Sequence, residues 1–443
     1  MMPPDTVAMG HLAGKDLLRQ VGEKLDGLPF RAPWNETLRA VLAELYSPDE
    51  AELFVAMPYG LATAPRIARA LGQPEAVVQR RLESMADRGL VVDLLVGDET
   101  RYMPSPLAVG LFEFTMMRSG DGVDSARLAR LFRDYMGDGA VWAANAQDGA
   151  RVNIMRALPH EEALAPHVEI LDYEKASALV ERAERFSVGI CSCRHEREHA
   201  GGRECDGPLE VCTAFDGGAD FLVRHGLARA ASREEMRDRL ARSRDEGLVL
   251  SADNVQRNVG FICHCCRCCC NLLHGYRDFG SANAIVTASV VARADETTCE
   301  ACGNCVAACP VGALAMTPVS ADAGEGARSV ARVDESRCLG CGVCALDCAF
   351  DALHLHARAQ RVLHPETTFE RVILQCLERG TLQNQIFDDP GRLTHTVMRA
   401  ILGAFLRLPA TKKALMSDLL RSRFLGLLAA GVRASGGGAA LEI

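Results

Sequence analysis

The spacing of eight cysteines between positions 299 and 348 restricts this chain more than any other feature. CEACGNCVAACP and CLGCGVCALDC place Cys299, Cys302, Cys305 and Cys309, then Cys338, Cys341, Cys344 and Cys348, in the same Cys-x2-Cys-x2-Cys-x3-Cys order. Thiolate is the soft ligand that cluster iron requires, and three cysteines two residues apart let one tight loop offer three sulfurs to three corners of a cubane. The fourth cysteine of each run lies too far along to cap the same cube and ligates the other. The expected sets are Cys299, Cys302, Cys305 and Cys348 for one [4Fe–4S] cluster, and Cys338, Cys341, Cys344 and Cys309 for a second. Small residues at Ala301, Gly303, Gly340 and Gly342 let the backbone close around the iron. Paired Cys-x2-Cys also binds zinc, but a third cysteine at the same interval suits a cubane better than a tetrahedron.

Over residues 290–358 these motifs resemble the bacterial two-cluster ferredoxin family. The resemblance implies two cubanes close enough for rapid one-electron exchange. The first motif carries the family's proline, Pro310; the second has Ala349 there, and the connection from Cys309 to Cys338 is longer than in a minimal ferredoxin.

A chain of 443 residues, 48% hydrophobic, can bury more than one core. Nineteen cysteines at intervals of one to three residues are too clustered for a long-range disulfide framework and point to a reducing, cytoplasmic setting. The start MMPPDTVAMGHLAGKDLL has neither a basic region leading into an apolar run nor twin arginines, so export is not expected. The net charge of −9 argues against a generally nucleic-acid-binding surface. With no Gly-x-Gly-x-x-Gly signature, no nicotinamide or flavin site is expected. The fold class expected is multidomain α+β.

After an irregular start, helical periodicity runs over 36–57, with a cap at Ser47-Pro48-Asp49. Two helices follow: TAPRIARALGQ, capped by Thr63 and ended by Gly72, and a longer one opened by Pro74 and closed by Gly89. LVVDLLVGDETRYMP reads as a hairpin turning at Gly97-Asp98. Over residues 40–106 this order resembles the winged helix-turn-helix domains of bacterial regulators. Residues 35–90 hold six Lys/Arg against eight Asp/Glu, however, and the hairpin adds Asp93, Asp98 and Glu99 against Arg101. A reader of phosphates needs a basic surplus, so a docking or structural module is expected at 1–106. Residues 107–170 read as a helical linker region, apolar around Phe112–Met117 and Leu128–Tyr135 and irregular beyond.

Residues 171–289 form a cysteine-rich metal-binding α/β centre. A helix from Asp172 feeds the short strand FSVGI, which delivers Cys191 and Cys193; a polar loop then holds His195, His199, Cys205 and Cys212. Ser232 and Glu235 box the start of another helix. A second strand, NVGFI, arrives at CHCCRCCC: Cys263, Cys265, Cys266, Cys268, Cys269 and Cys270. Because strand side chains alternate in direction, no regular element aims all six at one point, so the segment must wrap between two centres. If the two strands pair, both groups meet at one sheet edge. These ten thiols suffice for one or two further clusters, and an additional iron–sulfur cluster is expected. Zinc bound by part of the set, clusters of irregular geometry held by adjacent Cys-Cys pairs, and redox-active or inert thiols are the competing readings. Arg194, His195, Arg203 and Arg267 would face a cluster's charge or an anionic substrate, or be solvated, and His264 is a weaker ligand candidate. The region resembles cysteine-rich segments beside ferredoxin modules in proteins of anaerobic redox metabolism.

Residues 359–443 read as C-terminal helices, with Leu393, Val397, Met398, Ile401, Leu402 and Phe405 on one face and Cys376 as a core residue. Basic residues around FLGLLAAGV would lie on a membrane surface or, as the blander reading has it, these helices cover the ferredoxin core. The Gly-rich tail is expected to be disordered. Together these readings describe an iron–sulfur electron-transfer protein, or an oxidoreductase or its electron-carrying subunit, that works with a separate redox partner protein. The competing function is a redox-sensing iron–sulfur transcription regulator.

Overall fold

The computed structural model describes residues 17–120, 124–146, 151–280, 283–319 and 328–434, together with Leu441. The irregular start before residue 17 and the Gly-rich tail from residue 435 lie outside them.

The N-terminal segment opens with helix α1 (17–26), then α2 (Glu36–Leu45) and α3 (Pro48–Ala56). Asn35 caps α2 by accepting from the Leu38 N–H at 2.8 Å. Ser47 and Glu50 form a reciprocal capping box on α3, with Pro48 in its first turn, so the chain breaks where the sequence indicates. Strand β1 (Ala62–Thr63) leads into α4 (Ala64–Leu71) and α5 (Glu75–Asp87). Thr63 stands at the first residue before α4, but its side chain makes no capping bond there. The hairpin β2 (Val91–Val96) and β3 (Glu99–Pro104) turns at Gly97-Asp98, and β1 adds to β3 to give the order β1-β3-β2. Helices α6 (Phe112–Met117), α7 (Ser125–Gly137) and α8 (Ala140–Asn145) follow and share one core with this segment, including Phe54, Leu82, Phe112, Phe132 and Trp142.

Strand β4 (Met155–Leu158) lies where the sequence reading has only irregular linker; it is an edge strand of the central sheet. That sheet is antiparallel, with β5 (Phe186–Ile190), β6 (Glu210–Phe215), β7 (Ala228–Ala231), β8 (Val249–Asp253) and β9 (Phe261–Cys265) in the order β4-β8-β9-β6-β5-β7. Helix α9 (Ala176–Arg182) and α12 (Arg233–Asp245) cover one face; α10 (Ser192–Ala200), α11 (Asp216–Arg224) and α13 (Asn271–Asp278) complete the unit. The polar stretch expected to be a loop after Cys193 is thus the helix α10 and, later, the strand β6. Nor do β5 and β9 pair with each other: β6 lies between them, so the cysteine groups meet in the sheet's interior rather than at its edge.

In residues 290–358, β10 (Val290–Ala294) pairs with β13 (Leu353–Ala357), and β11 (Leu314–Pro318) with β12 (Ser329–Val333). Short helices α14 (Asn304–Ala308) and α15 (Val343–Leu346) start at the same point of each cysteine motif. The backbone repeats more faithfully than the sequence. Left-handed φ recurs at Ala301 and Gly340 (+54° and +74°) and at Gly312 and Asp351 (+64° and +51°). The loss of a proline at Ala349 therefore leaves the local symmetry standing.

Helices α16 (Thr368–Arg379), α17 (Leu382–Ile386), α18 (Leu393–Leu406), α19 (Pro409–Leu415) and α20 (Asp418–Ala434) close the chain. Among the described residues, they form a core of their own and contribute nothing to the core that holds the motif cysteines. Arg379 donates to the Asn145 carbonyl and Asn153 Oδ1, both at 3.0 Å, and Asn384 donates to the Gly27 carbonyl, so the helices clamp the N-terminal segment to the central sheet. Cys376 is fully buried in their core, as its periodicity indicates. On α18, Leu393, Val397, Ile401 and Phe405 remain exposed. No helix among the described residues is long and apolar enough to cross a membrane.

Candidate metal centres

Each cysteine motif is a loop that ends in a helical turn, and the structure brings the fourth cysteine across. Cys348 lines the same small cavity as Cys299, Cys302 and Cys305, walled by Met316, Phe350 and Leu353. Cys309 stands against Cys338, Cys341 and Cys344. Backbone N–H groups are aimed at these sulfurs, as the Ala313 N–H to Cys309 Sγ at 3.2 Å shows. Burial pushes the Cys341 thiol up to about 12. A pocket that penalises separate thiolates yet aims N–H donors at sulfur fits a group that shares its charge over several irons. Cys302 is exposed, whereas Cys341 and Cys344 are buried toward the rest of the protein. His160 seals that side through its N–H to the Cys341 carbonyl at 3.0 Å.

The ten central thiols separate into two groups. Six form a ring: Cys212 touches Cys263, Cys263 touches Cys265, Cys265 touches Cys270, and Cys270 touches Cys193. Cys191 completes the group, near Cys193 and Cys212. Strand alternation explains the membership. Cys263 and Cys265 share one face of β9 with Cys212 of β6, while His264 points to the other face, where its ring meets Ser243 Oγ at 2.6 Å and Thr213 Oγ1 at 3.2 Å. His264 is therefore anchored away from both groups. Cys191 and Cys270 are the residues immediately before α10 and α13, so two helix N-termini converge on the ring and favour negative charge there. Hydrogen bonds from the neighbouring Cys263 and Cys270 thiols bring Cys265 down to about 6.

The other four, Cys205, Cys266, Cys268 and Cys269, gather beyond the end of β9. Their Sγ atoms are separated by 3.8 Å (Cys205–Cys266), 3.9 Å (Cys205–Cys269), 3.7 Å (Cys266–Cys268) and 3.4 Å (Cys268–Cys269). Arg194 lies wholly buried between the groups. Burial works against its charge, but the thiols of Cys191, Cys266 and Cys205 hold its pKa above the ordinary guanidinium value. Cys205, Cys266 and Cys268 form part of the wall of an open cleft of about 890 Å³, around which stand Arg133, Arg194, Arg197, Arg267 and Arg277. Of these, Arg133, Arg197 and Arg277 carry no sequence signal, because α7, α10 and α13 reach the cleft only through the tertiary fold. Arg203 is engaged locally, with Glu198 and the carbonyls of Cys205 and Gly207. His195 and His199 face Met116 and each other rather than a thiol.

The central and C-terminal groups are contiguous. Cys265 and Cys270 of the ring lie in the same apolar core as Cys299, Cys305, Cys309, Cys338, Cys341 and Cys344. Arg267, within CHCCRCCC, donates to the Ala307 carbonyl at 2.5 Å, between two motif cysteines.

No curated protein and no solved structure matches this chain. Residues 298–352 match the family model of the 4Fe-4S dicluster domain, and this stretch of the chain is an iron–sulfur module.

Proposed function

We propose that the chain is an iron–sulfur electron carrier, or the electron-carrying part of an oxidoreductase. Two [4Fe–4S] clusters would sit in the crossed cysteine sets, and a third centre in the six-thiol ring. The observation that carries this reading is the single apolar core that holds Cys265 and Cys270 together with six motif cysteines. Iron–sulfur centres supply one-electron transfer when bound; the residues position them, exclude water and set their charge environment. Cys302 and the half-exposed Phe350 give a redox partner an approach to the outer set. The ring shares one apolar core with cysteines of both sets, and its two helix N-termini would compensate the charge of a reduced centre.

The N-terminal segment has the strand and helix order of a winged helix, and we assign it a scaffolding role. Two of its acidic residues are engaged within the chain: buried Asp93 pairs with Arg224 at 2.9 Å and His225 at 2.9 Å, and the exposed Asp87 with His225 at 2.7 Å. Arg81 and Arg88 of the α5 region are engaged by Asp49 and Glu50. The acidity that argues against DNA binding thus has a structural use, at the joint with α11.

The test is iron and acid-labile sulfide per chain on anaerobically purified protein, with EPR of the reduced state, for the parent and for Cys263→Ser/Cys265→Ser. About twelve iron, falling to about eight in the variant, supports a third cluster in the ring. About eight in both leaves a two-cluster carrier and removes the ring from the electron path.

A further inference from the structure

The four-thiol group has the dimensions of a site for one metal ion rather than for a cluster. In a tetrahedron the edge is about 1.63 times the distance from centre to corner, so a zinc–thiolate bond of about 2.3 Å demands sulfurs about 3.8 Å apart. Four of the six separations among Cys205, Cys266, Cys268 and Cys269 run from 3.4 to 3.9 Å. All four donor atoms lie within 4.8 Å of one another. A cubane spreads its thiolates over four separate irons and holds them farther apart. The chain contains its own comparison: among the described residues, no three of the eight motif thiols, and no three of the ring, come mutually within that distance.

The surroundings agree. Cys269 is wholly buried and Leu248 packs over the group. Four thiolates around a divalent cation carry a net double negative charge, which needs a buried counter-charge. Arg194, fully buried beside Cys191, Cys205 and Cys266, supplies one positive charge toward it. With four protein sulfurs and no vacant position, such a site is closed and does not offer the metal to a substrate. Its work is to fix the turn from Cys266 to Cys269, which holds Cys265 and Cys270 at the ends where the ring needs them.

We propose that Cys205, Cys266, Cys268 and Cys269 bind one zinc ion, structurally and independently of the iron centres. The test is zinc, iron and sulfide per chain on the anaerobic holoprotein, for the parent, Cys205→Ser and Cys269→Ser. The expected result is about one zinc per chain in the parent, lost in both variants, with the reduced-state EPR of the motif clusters retained. Cobalt exchanged into the parent should show thiolate-to-cobalt charge transfer and tetrahedral d–d bands, both absent from the variants. Cys205 lies in a half-buried loop, so its variant carries the test if replacing the buried Cys269 prevents folding. A parent without stoichiometric zinc, whose variants instead lose iron and sulfide together, overturns the proposal, as does a single iron without sulfide at this site. Neither of those results touches the reading of the motif clusters, whose iron is counted separately.

Discussion

The repeat in the two cysteine loops makes opposite demands at equivalent positions, and exchanging the residues tests it. Gly340 precedes the second cysteine of its motif at φ +74°, and a β-carbon there would lie 2.2 Å from the Val290 carbonyl oxygen. Gly340→Ala incurs about 1–2 kcal/mol for a left-handed L-residue. Pushing strand β10 aside adds about 1–3 kcal/mol, for a total of about 2–5 kcal/mol. Ala301, its counterpart, already holds φ +54°. Ala301→Gly relieves about 1–2 kcal/mol of that strain and returns about 0.4–1 kcal/mol to the freedom of the unfolded chain. The net lies between about zero and a stabilisation of about 1.6 kcal/mol. Anaerobic thermal melts, followed by visible cluster absorbance and far-ultraviolet dichroism, should show Gly340→Ala losing several degrees and Ala301→Gly holding or gaining. If Gly340→Ala melts with the parent, or Ala301→Gly melts well below it, the steric account of these loops is wrong.

The joint between the hairpin and α11 should be sensitive to pH. Hydrogen bonds to Asp93 and Asp87 outweigh burial and raise the His225 pKa, so its contribution is complete below the unfolded value and disappears as pH rises through the folded one. Asp93→Asn should flatten that dependence in melts across this range and weaken the joint by about 2–3 kcal/mol; a parallel pH profile would remove His225 from the account. His264→Gln should leave zinc, iron and sulfide per chain unchanged while lowering stability by about 1–3 kcal/mol, since Ser243 and Thr213 lose their buried partner. Loss of metal in that variant would make His264 a ligand after all. Cys376→Ala should likewise spare every metal and alter only stability, by about 1 kcal/mol; a changed EPR signal would contradict its placement in the helical core.

Much of the local structure is written in short-range chemistry. The Ser47/Glu50 box, the turn at Gly97-Asp98 and the paired cysteine motifs depend on residues a few positions apart, and each forms where the residues indicate. The central thiols are different. Their division into six and four depends on β6 inserting between β5 and β9, a pairing that joins residues about fifty positions apart in sequence. EVCTAF is short and follows a long polar stretch, so it does not stand out as a strand. Helix α10 was equally hidden, because SCRHEREHA has almost no apolar face and is held by its contacts with α6 and α7. The C-terminal helices were legible as helices, but not in their placement. Arg379 reaches a carbonyl more than two hundred residues upstream, and no periodicity announces such a partner.

The octapeptide CHCCRCCC assigns neighbouring residues to different centres: Cys265 to the ring and Cys266 to the four-thiol site, then Cys269 to the four-thiol site and Cys270 to the ring. Adjacent α-carbons are about 3.8 Å apart, so the two centres share a few peptide units as a common wall. If both centres are filled as proposed, that arrangement imposes an order on maturation. A ring filled first would have to form on a loop whose middle is still loose, whereas zinc bound first would present Cys265 and Cys270 already spaced for iron. It also leaves the peptide no tolerance in length, since one residue gained or lost between Cys265 and Cys270 would exchange the allegiance of every sulfur beyond it.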